Sequence, residues 1–159
     1  MIALGPFPLS LGVPVALAIC LAASTSALAG EPGGPAAAAV AGWFKTSKNI
    51  ECIDGDAKPI RCSPNEDTRF GASYSPDGAR ALVWVSWTNE PTANWASTTA
   101  AVLRRDGDTW RVERELTAVK QRPGGVRWTA SAVSFVTPVF KPSDGRCCPT
   151  GRKKFNVKL

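Results

Sequence analysis

The sequence has no histidine, one methionine and one tyrosine, Tyr74. Without histidine, the commonest general base near neutral pH and the commonest nitrogen ligand for a metal are both missing. A Gly-x-Ser-x-Gly elbow, a Gly-rich phosphate loop and a Ser-x-x-Lys pair are missing too. Catalysis would have to run on Asp, Glu, Ser or Lys. The pairs Asp54-Gly55-Asp56 and Asp106-Gly107-Asp108 stand in glycine-containing turns, where Asp is expected for backbone reasons. The Asp54 loop also lacks the later ligands of a calcium loop. No catalytic residue, metal or cofactor is therefore expected, and the chain reads as non-enzymatic.

Charge is absent from the first 29 residues, and no apolar run there is long enough to cross a bilayer. The run Val15-Ala16-Leu17-Ala18-Ile19-Cys20-Leu21-Ala22-Ala23 is followed by small polar residues and Ala27-Leu28-Ala29. That is the pattern of a secretory signal peptide cleaved after Ala29. Leu17 and Cys20 match a lipobox, but Ile19 stands where Gly or Ala belongs, which disfavours a lipoprotein. The expected organisation is a leader over 1–29, a linker over 30–35 and one domain over 36–159. The expected place is periplasmic or extracellular, with no transmembrane segment in the mature chain.

What is present begins with cysteine. Four cysteines follow the leader: Cys52, Cys62, Cys147 and Cys148. An even number in a small exported chain reads as a disulfide framework. Their spacings, nine intervening residues and none, are not those of a zinc site or a redox pair. Three pairings are open. Neighbouring Cα atoms lie about 3.8 Å apart and a disulfide prefers roughly 4.4–6.8 Å, so a Cys147–Cys148 bridge is strained. In an extended segment the two side chains point to opposite sides. Two cross-links from the Cys52–Cys62 loop to the Cys147-Cys148 doublet are the expectation. The alternative joins Cys52 to Cys62.

Val40, Trp43, Phe44 and Ser47 fall at i, i+3, i+4 and i+7, predicting a helix over about 36–47. Residues 48–67 read as a stapled loop. Strands are expected over about 69–75, 80–88, 97–105 and 110–116, with turns at Ser75-Pro76-Asp77-Gly78 and Arg105-Asp106-Gly107-Asp108. The segment Ala81–Trp87 is apolar on both phases, so it should be central and covered on both sides. Val126–Phe140 reads as one long strand bent near Ala132, and the tail ends in a strand alternating Phe155, Val157 and Leu159 with Lys154, Asn156 and Lys158. The fold class is α+β: one N-terminal helix on a curved antiparallel sheet of about five to six strands, stapled by disulfides.

The helix-then-meander order over roughly 36–140, with its hairpin Val102-Leu103-Arg104-Arg105-Asp106-Gly107-Asp108-Thr109-Trp110, resembles the cystatin-like or nuclear transport factor 2-like architecture. The ending Asp144-Gly145-Arg146-Cys147-Cys148-Pro149-Thr150 is similar to that of small uncharacterised exported bacterial proteins. The first resemblance implies a concave sheet face that can hold a small ligand. The second implies a bacterial exported protein and no particular activity.

Two features bear on binding. Residues 141–159 hold six bases against Asp144, close to the whole net charge of +6. Arg152, Lys153 and Lys154 are the dense part. They suit an acidic protein or a polyanionic envelope surface, or serve to guard an edge strand. Nucleic acid is not an expected partner of an exported chain. Trp87 and Trp95 bracket a polar loop containing Asn89, where aromatics beside an amide could stack on a sugar or anchor a protein contact. The expected function is thus an exported binding or inhibitor-type module of unknown ligand. The alternative is a small-ligand carrier using the concave sheet face.

Overall fold

The computed structural model describes residues 32–88, 96–145 and 148–159. The expected leader, Asn89, Trp95 and Cys147 lie outside the described residues. The described residues form one helix, α1 (Ala37–Thr46), and nine strands. These are β1 (Cys52–Ile53), β2 (Pro59–Ile60), β3 (Arg69–Tyr74), β4 (Arg80–Trp87) and β5 (Ser97–Asp106), then β6 (Thr109–Leu116), β7 (Gly124–Trp128), β8 (Ala132–Val139) and β9 (Gly151–Lys158).

The helix forms where its stripe predicts, and Val40, Trp43 and Phe44 are its buried residues. Its N-terminal residue Ala36 has no side chain to cap the first turn. Tyr74 substitutes: its hydroxyl oxygen accepts the Ala36 N–H at 3.2 Å, satisfying one of the amides every helix start leaves open. The helix stops at Ser47, which is extended, with its N–H donating back to the Trp43 carbonyl.

All strand pairs are antiparallel, in sheets ordered β1-β2, β3-β4-β5-β6 and β7-β8-β9. The expectation of one curved sheet of five to six strands is corrected by this division into three. The cause lies in β4 and β5. Ala81, Val83, Val85 and Trp87, with Ala101 and Leu103, pack under α1. Leu82, Trp84, Ala100 and Val102 face the other way and pack against Val133, Phe135 and Val157 of the three-stranded sheet. A sheet apolar on both faces needs a cover on each. One ten-residue helix covers one face, and a second sheet covers the other. Trp128 ties the two sheets, its Nε1–H donating to Ser73 Oγ at 3.1 Å.

The long strand expected over 126–140 is also corrected. It is a hairpin, β7 and β8, whose turn is fastened by Thr129 N–H to the Ala132 carbonyl at 2.8 Å and Ala132 N–H to Thr129 Oγ1 at 3.0 Å. The change of phase visible in the sequence is a reversal of direction. Residues 48–67, expected to be free of regular structure, contain the small β1–β2 hairpin. That hairpin sets Cys52 opposite Ile60 and brings Cys52 and Cys62 to a Cα separation of 5.2 Å, where they form a disulfide. The expected cross-links to the doublet are therefore replaced by a local staple. Cys148 is disulfide-bonded as well.

Both turns read from sequence are in place. Gly78 adopts a positive φ of 66° with its N–H on the Ser75 carbonyl at 2.9 Å, a conformation glycine takes without penalty. A second feature was not foreseen. The register of β5 with β6 jumps from Val102↔Arg114 to Leu103↔Val112, so Glu113 is the extra residue of a bulge. A bulge reverses which residues face which side. Trp110 and Leu116, which would share one face of an unbroken strand, accordingly join opposite cores.

Candidate binding surface

Strand alternation sorts the basic tail into two faces. Val133, Phe135, Val157 and Phe155 point into the core between the sheets. Their neighbours of opposite phase make the outer face: Ser134 pairs with Asn156, Val136 with Lys154, Pro138 with Arg152 and Ala132 with Lys158. Arg127 of β7 stands opposite Ser134 and joins that face from the other edge. Arg127, Arg152, Lys154 and Lys158 are all exposed. Among the described residues none of the four makes an ion pair, and no acidic residue lies on β7, β8 or β9.

Bases two apart on β9 stand about 7 Å apart, and the β7 and β9 edges are about 10 Å apart. Between them run the small or apolar residues Ala132, Ser134, Val136 and Pro138. Phe140, just past the end of β8, is 49% exposed. Lys153, grouped with Arg152 and Lys154 in the sequence reading, belongs to the opposite phase, opposite Thr137. Its ammonium sits 5.1 Å from the centre of the Phe155 ring, a cation–π contact.

The loop feeding β9 is held by its one acid. Asp144 Oδ2 accepts the N–H groups of Lys141 at 2.7 Å and Thr150 at 2.9 Å, and Oδ1 accepts the Thr150 hydroxyl at 2.7 Å. The bonds from Lys141 and Thr150 hold its carboxyl below the usual carboxylate range. They also engage the only carboxylate close in sequence to the basic face.

Trp87 is placed in the helix-side core, 5% exposed. Its Nε1–H donates to the Glu51 carbonyl at 3.1 Å, and its ring meets Phe44 edge-on at 6.2 Å. Trp84 points to the other core, as a separation of three requires. Its indole lies across Gly71, its partner on β3. A Cβ there would come 2.2 Å from Trp84 Cε2, so glycine is what admits the ring.

Three grooves lie on the surface of the described residues. The first, about 520 Å³, runs between the end of α1 and β6 and contains Glu115. Both oxygens of that carboxylate are engaged: Oε1 accepts Trp43 Nε1–H at 3.0 Å, and Oε2 accepts Ser47 Oγ–H at 3.0 Å and an Asn49 Nδ2–H. Glu115 thus fastens the helix end to the sheet. The sequence signal for it was weak, because the bulge that turns Glu115 toward α1 leaves no mark in the alternation. The second groove, about 300 Å³, lies at the β3 edge with Arg122 at 6.0 Å over the Trp84 ring. The third, about 310 Å³, lies beside Trp87 and Lys120 and contains Glu51. None of the three gathers two carboxylates. The two Asp pairs of the sequence are engaged in turns. Asp54 Oδ1 accepts the N–H groups of Asp56 and Lys58, while Asp106 and Asp108 pair with Arg111 and Arg105. No cluster of metal-ligating side chains occurs among the described residues, and no helix there is long and apolar enough to cross a membrane.

No protein-family model, curated protein or solved structure matches this chain.

Proposed function

We propose that the chain is a small exported binding module, without catalytic activity of its own, that presents the outer face of its three-stranded sheet to an anionic partner. The observation that carries this reading is the sorting of charge. The four-stranded sheet carries Asp106, Glu113 and Glu115 among its arginines, while the three-stranded sheet carries no acid and its outer face holds four bases, none of them ion-paired among the described residues. Unneutralised charge of one sign on one face steers and holds an oppositely charged partner. The Cys52–Cys62 disulfide supports an oxidising compartment outside the cytoplasm, in keeping with the resemblance of the Asp144–Thr150 ending to exported bacterial proteins. The carrier reading needs a hollow concave face. Both faces of β4 are filled instead, with Ala81, Leu82, Val83 and Val85 fully buried.

Retention on an anionic matrix tests the reading. The protein should elute at raised salt, and Arg152→Glu/Lys154→Glu should elute much earlier. Arg105→Glu/Arg111→Glu, made in the paired region with the same change in net charge, should move it less. Equal shifts for the two variants would mean that net charge alone acts, and the face would lose its claim.

A further inference from the structure

The outer face is more than basic. Its bases stand at the two edges, on β7 and β9, and flank the small and apolar median of β8. At the end of that median is Phe140, about half exposed. A compact acidic groove on a protein, or a single polyanionic chain, would be met by a row or pocket of cations. It would gain little from an exposed phenyl ring. A lipid surface differs. It offers diffuse negative charge over an extended plane and an apolar layer just beneath the headgroups. A cationic sheet face with an exposed aromatic side chain at its margin complements both.

We propose that the outer face docks on an anionic lipid bilayer, with Arg127, Arg152, Lys154 and Lys158 against the headgroups and Phe140 entering the interfacial layer. This rests on the binding reading above and names its partner. The geometry also fixes an orientation. The three-stranded sheet lies on the membrane, the four-stranded sheet stands above it, and α1 is the layer farthest from the lipid. Lys153, of opposite phase and held over Phe155, takes no part.

The test is co-sedimentation of the disulfide-intact protein with vesicles of phosphatidylglycerol and phosphatidylcholine in equal parts. Pure phosphatidylcholine vesicles and soluble polyphosphate serve as parallel probes. Expected is binding to the mixed vesicles and not to pure phosphatidylcholine. Arg152→Glu/Lys154→Glu should weaken vesicle binding by more than roughly tenfold, since each base near an anionic surface contributes roughly a fivefold factor. Phe140→Ala should weaken vesicle binding by roughly tenfold through lost apolar contact, while leaving polyphosphate binding unchanged. Lys153→Glu should have a smaller effect than Lys154→Glu. All these positions are exposed, and unchanged circular dichroism would confirm that the variants are folded. Retention of polyphosphate without binding to mixed vesicles would overturn the lipid assignment and leave the binding module standing. Wild-type vesicle affinity in Phe140→Ala would also overturn it. Binding to neither probe would remove both readings.

Discussion

In the four-stranded sheet and its hairpin turns, acids stand among the bases, and three of the arginines are ion-paired. Arg80 reaches Glu113 at 3.2 Å, and Arg105 and Arg111 reach Asp108 and Asp106 across the hairpin turn. In the three-stranded sheet the outward charges are all positive and face water. Both sheets are antiparallel meanders. They differ in what their second face meets. The four-stranded sheet is covered on both sides and carries its charges on its ends and its β6 edge, where short hairpin turns put acids beside bases. The three-stranded sheet has one uncovered face and has gathered bases there. Residues 120–159 hold nine bases and one acid, residues 1–119 ten bases and twelve acids. The positive charge of the molecule is therefore concentrated in the last quarter of its sequence.

The comparison breaks most completely if the layers come apart. Phe135 is 1% exposed, stacks on Phe155 with ring centres 5.1 Å apart, and belongs to the core between the sheets. Phe135→Ala should cost about 4 kcal/mol, measured by urea unfolding. Val136→Ala, one residue along on the outer face, should cost less than about 1 kcal/mol. Comparable losses at the two positions would mean that the faces have been assigned the wrong way round.

A smaller effect sharpens the contrast on the helix side. Glu115→Ala leaves Trp43 Nε1–H, Ser47 and Asn49 without their acceptor. It should lower stability by about 2 kcal/mol. Hydrogen exchange should show the loss concentrated in α1 and the Ser47–Asn49 turn, with the amides of β8 still protected. Exchange accelerating equally in β8 would show that the latch serves the whole core.

Smallest is the response of the β9 loop to acid. The folded-state carboxyl of Asp144 lies below its ordinary value of 3.8, first through the Lys141 N–H and then through Thr150. A lowered folded value means that the clasp contributes fully above the ordinary carboxylate range and is lost as the pH falls through the folded value. The Lys141 and Thr150 amide resonances should thus titrate with a midpoint below 3.8. Asp144→Asn should abolish that titration. Movement of both amides well above 3.8 would contradict the clasp.

Much of the four-stranded half was legible from residues alone. Val40, Trp43 and Phe44 stand at helical spacing, and Ser75-Pro76-Asp77-Gly78 and Asp106-Gly107 dictate turns by local backbone preference. Trp84 and Trp87, three apart, had to face opposite ways. The rest depended on pairings that spacing does not encode. That Ala81–Trp87 is apolar on both phases was evident, but not that a second sheet would supply the other cover. The bulge at Glu113 inserts a single residue and reverses the facing of Glu115 and Leu116, which no alternation of short strands reveals. The three ways of pairing four cysteines were separated by the β1–β2 hairpin, which draws Cys52 to Cys62. The basic face was half visible. Arg152 and Lys154 advertise themselves in the tail, but Arg127 joins them only through the register of β7 on β8, and Lys153 leaves them by strand phase. Trp87 was offered as a contact and is a core residue.

The order of the strands carries a consequence for how such a chain assembles. Every ladder pairs neighbours in sequence, so each meander closes through short loops whose entropic cost is small. The polypeptide crosses from one meander to the other once, over residues 117–123. That crossing is itself wedged into the interior: Val119 has no exposed surface and its N–H bonds the Leu116 carbonyl at 2.9 Å, while Pro123 is buried. Two ribbons, each complete in its hydrogen bonding, thus meet along a single seam. The seven residues of the crossing serve as both the tether and the plug of that joint.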